Sequence, residues 1–357
     1  MRLRISLALF GLLLFSTMAF AGKSARVQLT FDSSEADEVL AILALRSANK
    51  PVEDRQWQRL FATEPYQRLK LREKAIGERF KDPSVAFTDD DFKRFVMSDA
   101  LLALVPKLRN TLENWKKIDL QQAAEGVLAY LPESAVIRAK VFPVIKPNSN
   151  TFVWEASTNP AIFLYLDPEV SAAKFGNTVK HELHHIGLAS ALAQYELRIK
   201  VLPERANITA NWISAFGEGL AMLAAAGGPD VDPHAASSAA EHARWEHDMA
   251  NFNGDLLAVN AFFVDILAGK FANRDAIDEK GSSFYGAQGP WYTVGYKMAV
   301  MVEKRFGRQA LIGTMLDPRQ LLVLYNRAAA EQNSAQTKDK LPLWSEEMLR
   351  QVHAGGS

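Results

Sequence analysis

The run His181-Glu182-Leu183-His184-His185 places two imidazoles four residues apart, with a carboxylate directly after the first. Four residues is about one helical turn, so on a helix both rings project from one face towards a common point. Two neutral imidazoles fill two corners of a zinc site, and the carboxylate beside them reaches a water next to the metal. That is the chemistry of a zinc-dependent hydrolase, most often a peptidase. Three of the chain's seven histidines fall within these five positions, which argues against an exposed polar face met by chance. His184 is a spare. A His181/His184 pairing three residues apart is geometrically open, but it gives Glu182 no matching role.

A catalytic zinc takes a third protein ligand and leaves a position for water. The best candidate is Glu218, in Phe216-Gly217-Glu218-Gly219-Leu220-Ala221. A lone carboxylate in the apolar stretch from Trp212 to Ala226 is costly to bury unpaired, and metal ligation offsets that cost. The flanking glycines allow close backbone approach. The competing readings are pairing with an Arg or Lys, or plain exposure to solvent. The rival third ligands are His234, Glu241, His242, Glu246 and His247, which read more easily as the polar face of an exposed helix through Ala239–Met249.

HELHH followed 33 residues later by Glu218 in a Gly-Glu-Gly context resembles the gluzincin group of zinc metallopeptidases. Within that group the chain is similar to a family of uncharacterised bacterial proteins described as zinc-dependent peptidases. The resemblance is specific over roughly residues 163–325, where the motifs are densest. It implies a zincin-like catalytic domain with H-E-x-x-H on an active-site helix. It also implies one zinc per chain held by His181, His185 and Glu218, and Glu182 as general base. Downstream, Tyr292-Thr293-Val294-Gly295 has the form Y-x-x-G. Some gluzincin aminopeptidases carry a tyrosine in such a setting, whose hydroxyl stabilises the tetrahedral oxyanion. Tyr292 is the matching position and Tyr296 the rival; the alternative is that both pack in the core beside Trp291. The Gly-x-Met-Glu-Asn type of motif, which holds a substrate amino terminus in those aminopeptidases, is missing, so aminopeptidase activity is not implied.

These residues need a frame. Phe163-Leu164-Tyr165-Leu166 reads as a short buried strand. Asp167-Pro168-Glu169 reads as a helix start. Gly176-Asn177-Thr178 interrupts the pattern, so Asn177 or Thr178 would cap a second helix carrying the motif, with Val179, Leu183 and Ile186 as its apolar stripe. Residues 35–130 carry helix-like apolar spacing, and Val136 to Leu166 is the only strand-rich region. Gly281–Pro290 reads as a loop at the cleft. The fold class expected is mainly α with a small β-sheet, α+β. The domains expected are a helical amino-terminal region over 22–133 and a zincin-like catalytic domain over 134–357, with its sheet at 134–166. An edge strand beside the zinc helix would bind a peptide or protein substrate by strand addition, with Asn150–Trp154 and Ala161–Leu166 as candidates.

The amino terminus sets the compartment. Met1-Arg2-Leu3-Arg4 is basic, Ile5–Phe15 is mostly apolar, and Ala19-Phe20-Ala21 is an A-x-A cleavage pattern. Together they read as a Sec-type signal peptide over residues 1–21, cleaved after Ala21, and the apolar run is too short for an ordinary membrane span. The mature chain is expected in a bacterial periplasm or outside the cell, without stable membrane insertion. The chain carries 41 basic and 41 acidic residues and shows no basic stripe, so no nucleic-acid partner is expected. It has no cysteine, so zinc is held only by His, Asp or Glu, which suits a catalytic site. The principal alternative to a metallopeptidase is a non-catalytic metal-binding envelope protein that keeps the zinc-peptidase fold as a scaffold; a scaffold has no need of Glu182. Hydrolysis of a non-peptide amide or ester is permitted by the same zinc chemistry.

Overall fold

A computed structural model describes residues 25–80, 87–335 and 338–354. Residues 1–21, expected from the sequence to be a signal peptide, lie outside the described residues. These residues are mainly helical, with one four-stranded mixed sheet, an α+β architecture. The chain groups into two compact units. One holds the described residues up to Ala123 together with Ile137–Glu182; the other holds Ala124–Val136 and the chain from Leu183 onwards.

The first unit opens with strand β1 (Val27–Phe31) and continues through helices α1 (Ser34–Ser47), α2 (Asp54–Ala62), α3 (Glu64–Phe80), α4 (Asp89–Val96) and α5 (Asp99–Trp115). Helix α6 (Leu120–Leu128) leads to strands β2 (Ile137–Val144), β3 (Phe152–Trp154) and β4 (Ala161–Tyr165). The sheet order is β1-β2-β4-β3; β1 and β4 run parallel to β2, and β3 runs antiparallel to β4. Phe142, Phe163 and Phe152 stand in register on one face, with ring centroids 5.1 and 5.0 Å apart. Cross-strand aromatic pairs of this kind contribute roughly 0.2–1 kcal/mol each. Leu69 of α3 joins this cluster, and Arg72 of the same helix lies 4.0 Å over the Phe152 ring.

The sheet differs from the sequence expectation at two places. Strand β1 has no counterpart in that expectation; it pairs Val27 with Ile137 across more than a hundred residues, a contact no local pattern announces. Strand β4 is paired on both sides, so Ala161–Leu166 offers no free edge for strand addition, whereas β3 lies at an edge of the described sheet.

The helix carrying the histidine motif is α7 (Ala172–Ala191), and it also departs from expectation. Asp167–Glu169 forms a turn, with the Glu169 N–H donating to the Asp167 Oδ1. The Lys174 N–H donates to the Ser171 Oγ, and this serine bond at the start of α7 is the kind worth about 1 kcal/mol. Gly176-Asn177-Thr178 does not break the helix. The Thr178 hydroxyl donates to the Lys174 carbonyl one turn back, so it serves as no cap. Helix α5 fixes this entry: the Trp115 ring stacks on Phe175 at 4.3 Å and its indole N–H donates to the Val170 carbonyl.

The second unit continues with α8 (Ala193–Lys200), α9 (Glu204–Ile213), a 3-10 turn (Ser214–Phe216), α10 (Gly217–Ala226), α11 (Ala239–Ala250), α12 (Phe252–Leu267), α13 (Arg274–Ser283), α14 (Pro290–Phe306), α15 (Arg308–Met315), α16 (Arg319–Ala335) and α17 (Glu346–His353). Its core is aromatic. Trp291 is fully buried, meets Phe216 edge-on at 5.1 Å and stacks on Trp212 at 5.8 Å. Gly281–Ser283 complete helix α13 instead of opening a loop. Gly281 lies under the Trp212 ring, where a Cβ would come within 2.4 Å of Cζ2. Among the described residues no helix is long and apolar enough to cross a membrane.

Candidate metal centre

Helix α7 turns two faces to different surroundings. Val179, Leu183 and Ile186 are buried, as the apolar stripe requires, and His184 lies beside Leu183 with no exposed surface. His181, Glu182 and His185 are only half-buried. The spare histidine is therefore a core residue, and the pair one turn apart is what remains accessible.

Glu218 is the second residue of α10, whose remainder, Leu220–Ala225, is buried apolar surface. This places its carboxylate at the accessible end of an otherwise greasy helix. Its Oε2 stands 3.2 Å from the His185 Nε2. His181, His185 and Glu218 each offer one ligand atom, and these atoms lie within 4.8 Å of one another. Two ligands 2.0–2.2 Å from a tetrahedral ion sit about 3.3–3.6 Å apart, so the His185–Glu218 spacing is already close to that of shared coordination. A set of two imidazoles and one carboxylate, with no thiolate, suits zinc and leaves a fourth position open. Among the described residues no other group of three such side chains converges in this way.

The rival ligands stand elsewhere. His242 pairs through Nε2 with the Asp232 carboxylate at 3.0 Å, on the exposed side of α11. His234 is buried against Trp245, with ring centroids 4.8 Å apart. Glu241 closes the capping box of α11 with Ser238.

A cleft of about 410 Å³ adjoins His185 and Glu218. Its walls are largely apolar, from Leu188, Ala189, Leu192 and Trp212, and Arg274 and Tyr285 supply polar groups. Burial, reinforced by the charge of Glu218, holds the Tyr285 hydroxyl above a phenol's ordinary range, so it stays protonated and able to donate.

The two tyrosines singled out in the sequence take different places. Tyr292 sits half-buried in the first turn of α14, its ring 6.5 Å from that of Tyr285. Tyr296, one turn on, is buried; it packs edge-on against Trp245 at 5.2 Å and donates to the Val231 carbonyl. Burial and the charges of Asp232 and Asp230 push its hydroxyl up to about 12. Arg274 and Tyr285 are site residues that the sequence does not announce. They lie some ninety to a hundred residues after His185 and carry no motif; the glycine- and serine-rich run beginning at Gly281 is the only local signal near them.

An α+β protein with two histidines and a glutamate gathered beside a cleft has the makings of a metal centre. Residues 57–334 match the model of a family described as "Putative zinc dependent peptidase (DUF5700)", and the chain belongs to that family. No curated protein and no solved structure matches it.

Proposed function

We propose that this chain is a zinc-dependent metallopeptidase of gluzincin type that acts in the periplasm or outside the cell. The observation that carries the reading is the convergence of His181, His185 and Glu218 within 4.8 Å, and membership of a family described as zinc-dependent peptidases supports it. Zinc held by these three groups supplies Lewis acidity to a scissile carbonyl and to the attacking water.

The chain's own residues do the rest. Glu182 follows His181 on the same helix. Its carboxylate takes a proton from the attacking water as the oxygen bonds to the carbonyl carbon. It returns a proton to the amine nitrogen as the C–N bond breaks. Tyr292 donates its phenolic proton in a hydrogen bond to the carbonyl oxygen as negative charge develops there. The export reading rests on the basic start, the apolar Ile5–Phe15 and Ala19-Phe20-Ala21. A mature protein in the periplasmic fraction that begins at Gly22 by intact mass would bear it out; an uncleaved cytoplasmic chain would refute it.

The test is zinc content with turnover. About one zinc per chain is expected in the wild type, and at least a hundredfold weaker binding in Glu218→Ala, beyond the 10–100-fold typical of losing a supporting group. Glu182→Gln should keep zinc and lose peptide hydrolysis, because an amide cannot take the proton. Undiminished zinc in Glu218→Ala would remove Glu218 as a ligand and turn the search to the His234–His247 group. A function that survives Glu182→Gln unaltered would belong to a scaffold, not an enzyme.

A further inference from the structure

We propose that the cleft beside His185 and Glu218 binds the carboxylate of its substrate, with Arg274 as the anchoring cation and Tyr285 as an accompanying donor. This deepens the peptidase reading and rests on it.

The argument starts from the cleft's inventory. Leu188, Ala189, Leu192 and Trp212 offer apolar wall, suited to an aliphatic or aromatic side chain. Arg274 is the only Arg or Lys among the residues lining the cleft. It begins helix α13, which Asn273 caps through the Ala276 N–H, so its backbone is fixed. Asp278, one turn on, accepts from the Arg274 Nε at 2.9 and 3.0 Å. That pair uses one donor edge. Among the described residues no acceptor is bound to the two terminal nitrogens, which leaves the planar fork that matches a carboxylate through two parallel bonds.

Tyr285 supplies a second donor in the same lining. No described acceptor is bound to the Tyr285 hydroxyl. Apart from Glu218, already assigned to the metal group, and the neutral Asn211 and Ser214, the lining carries one full charge, that of Arg274. A ligand that supplies acceptors satisfies it, and one that supplies a cation meets Arg274 unfavourably.

Carboxylates reach such a cleft from two sources: the carboxyl terminus of a peptide, or an Asp or Glu side chain within it. Both have the same chemistry at Arg274, and matched peptides separate them. Binding is measured by calorimetry in the Glu182→Gln background, where no substrate is consumed, with zinc content determined on the same samples. The probes are an acetylated leucine-containing peptide with a free carboxyl terminus and its amide. A second pair is amidated, with Asp or Asn beside the leucine.

In one of the two pairs the carboxylate form should bind about 10- to 100-fold tighter than its amide counterpart. Arg274→Ala should erase that difference and leave the amide forms as they were; Arg274→Lys should restore part of it. Preference for the free terminus identifies exopeptidase-like placement, and preference for Asp over Asn identifies an acidic-residue subsite. With zinc bound, equal binding of acid and amide in both pairs would overturn the carboxylate anchor and leave the peptidase reading standing. So would equal weakening of both forms in Arg274→Ala. A chain that cannot be loaded with zinc fails the peptidase reading first, and the anchor falls with it.

Discussion

Gly219 and Gly295 meet backbone to backbone where helices α10 and α14 cross: a Cβ on Gly219 would stand 2.6 Å from the Gly295 Cα and 2.0 Å from the Tyr296 nitrogen. A Cβ on Gly295 would in turn come within 2.8 Å of the Phe216 carbonyl oxygen. The glycine after Glu218 therefore serves helix packing. It lets α10 lie against α14 and so fixes the residue before it.

Gly217, on the other side of Glu218, has nothing within 4 Å of its would-be Cβ and an ordinary helical backbone, φ −51° and ψ −27°. The two glycines should thus respond oppositely to alanine. Gly219→Ala should destabilise by about 1–3 kcal/mol or more, since backbone on both sides must move. Gly217→Ala should be neutral or gain up to about 1 kcal/mol through helix propensity and a less flexible unfolded chain. Urea unfolding of both variants checks this, and zinc titration of Gly219→Ala should show weakened binding as Glu218 shifts. Equal stability of the two variants would refute the crossing as drawn.

Metal removal tests the same arrangement by another route. A ligand that binds only the folded state stabilises it by about 2.7 kcal/mol at a hundredfold excess over Kd. Chelation should therefore lower the Tm of the wild type, and added zinc should restore it. In Glu218→Ala the difference between chelated and zinc-supplemented samples should shrink towards zero. A full zinc-dependent shift in that variant would show that the carboxylate 3.2 Å from His185 contributes nothing to the metal.

The neighbouring rings of Tyr292 and Tyr285 are predicted to separate kinetically. A phenol that acts on developing charge supports kcat, so Tyr292→Phe should lower kcat by about 10²–10³-fold with KM nearly unchanged. A phenol that lines the cleft supports binding, so Tyr285→Phe should raise KM for carboxylate-bearing peptides and spare kcat. Steady-state kinetics on one peptide decides it; the reverse pattern would exchange the two roles.

What the sequence discloses about this molecule depends on how local each feature is. The pairing of His181 with His185 is legible because one helical turn brings the two together whatever surrounds them. Glu218 is legible as a carboxylate stranded in apolar sequence, a cost that demands a partner. The helix break expected at Gly176 fails because one glycine costs only about 1 kcal/mol, less than the Trp115–Phe175 stack and the buried face of α7 return. Strand β1 is hidden because its partner, β2, lies across helices α1 to α6, and parallel pairing over that span leaves no hairpin signal. Arg274 and Tyr285 are hidden for a related reason. They reach the cleft through the packing of α13 and α14 around Trp212 and Trp291, and aromatic packing of that kind has no spacing rule.

Glu35, in the first unit, carries a consequence for pH. It is fully buried on α1; its Oε2 accepts the Ile145 N–H at 2.9 Å, and its Oε1 has no hydrogen-bond partner. Burial raises its carboxyl from 4.5 to about 8, against the opposing pull of the Ile145 N–H and the Lys146 charge. The unfolded chain gives up this proton near 4.5 and the folded chain near 8, so between those values the folded state holds the extra proton. The stability tied to it is complete below pH 4.5 and is lost as pH rises through 8. Burial also lowers the neighbouring Lys146, from 10.5 to about 8, so its own proton difference acts above that window, where stability rises with pH. Glu35→Gln keeps an acceptor for Ile145 and removes the titration. Between pH 5 and 8 the wild type should therefore lose about 1.4 kcal/mol per pH unit relative to Glu35→Gln, the value of one proton's difference. Urea denaturation of both proteins at pH 5, 6.5 and 8 measures it, and parallel stability curves would show that Glu35 ionises in the folded state at its ordinary pH.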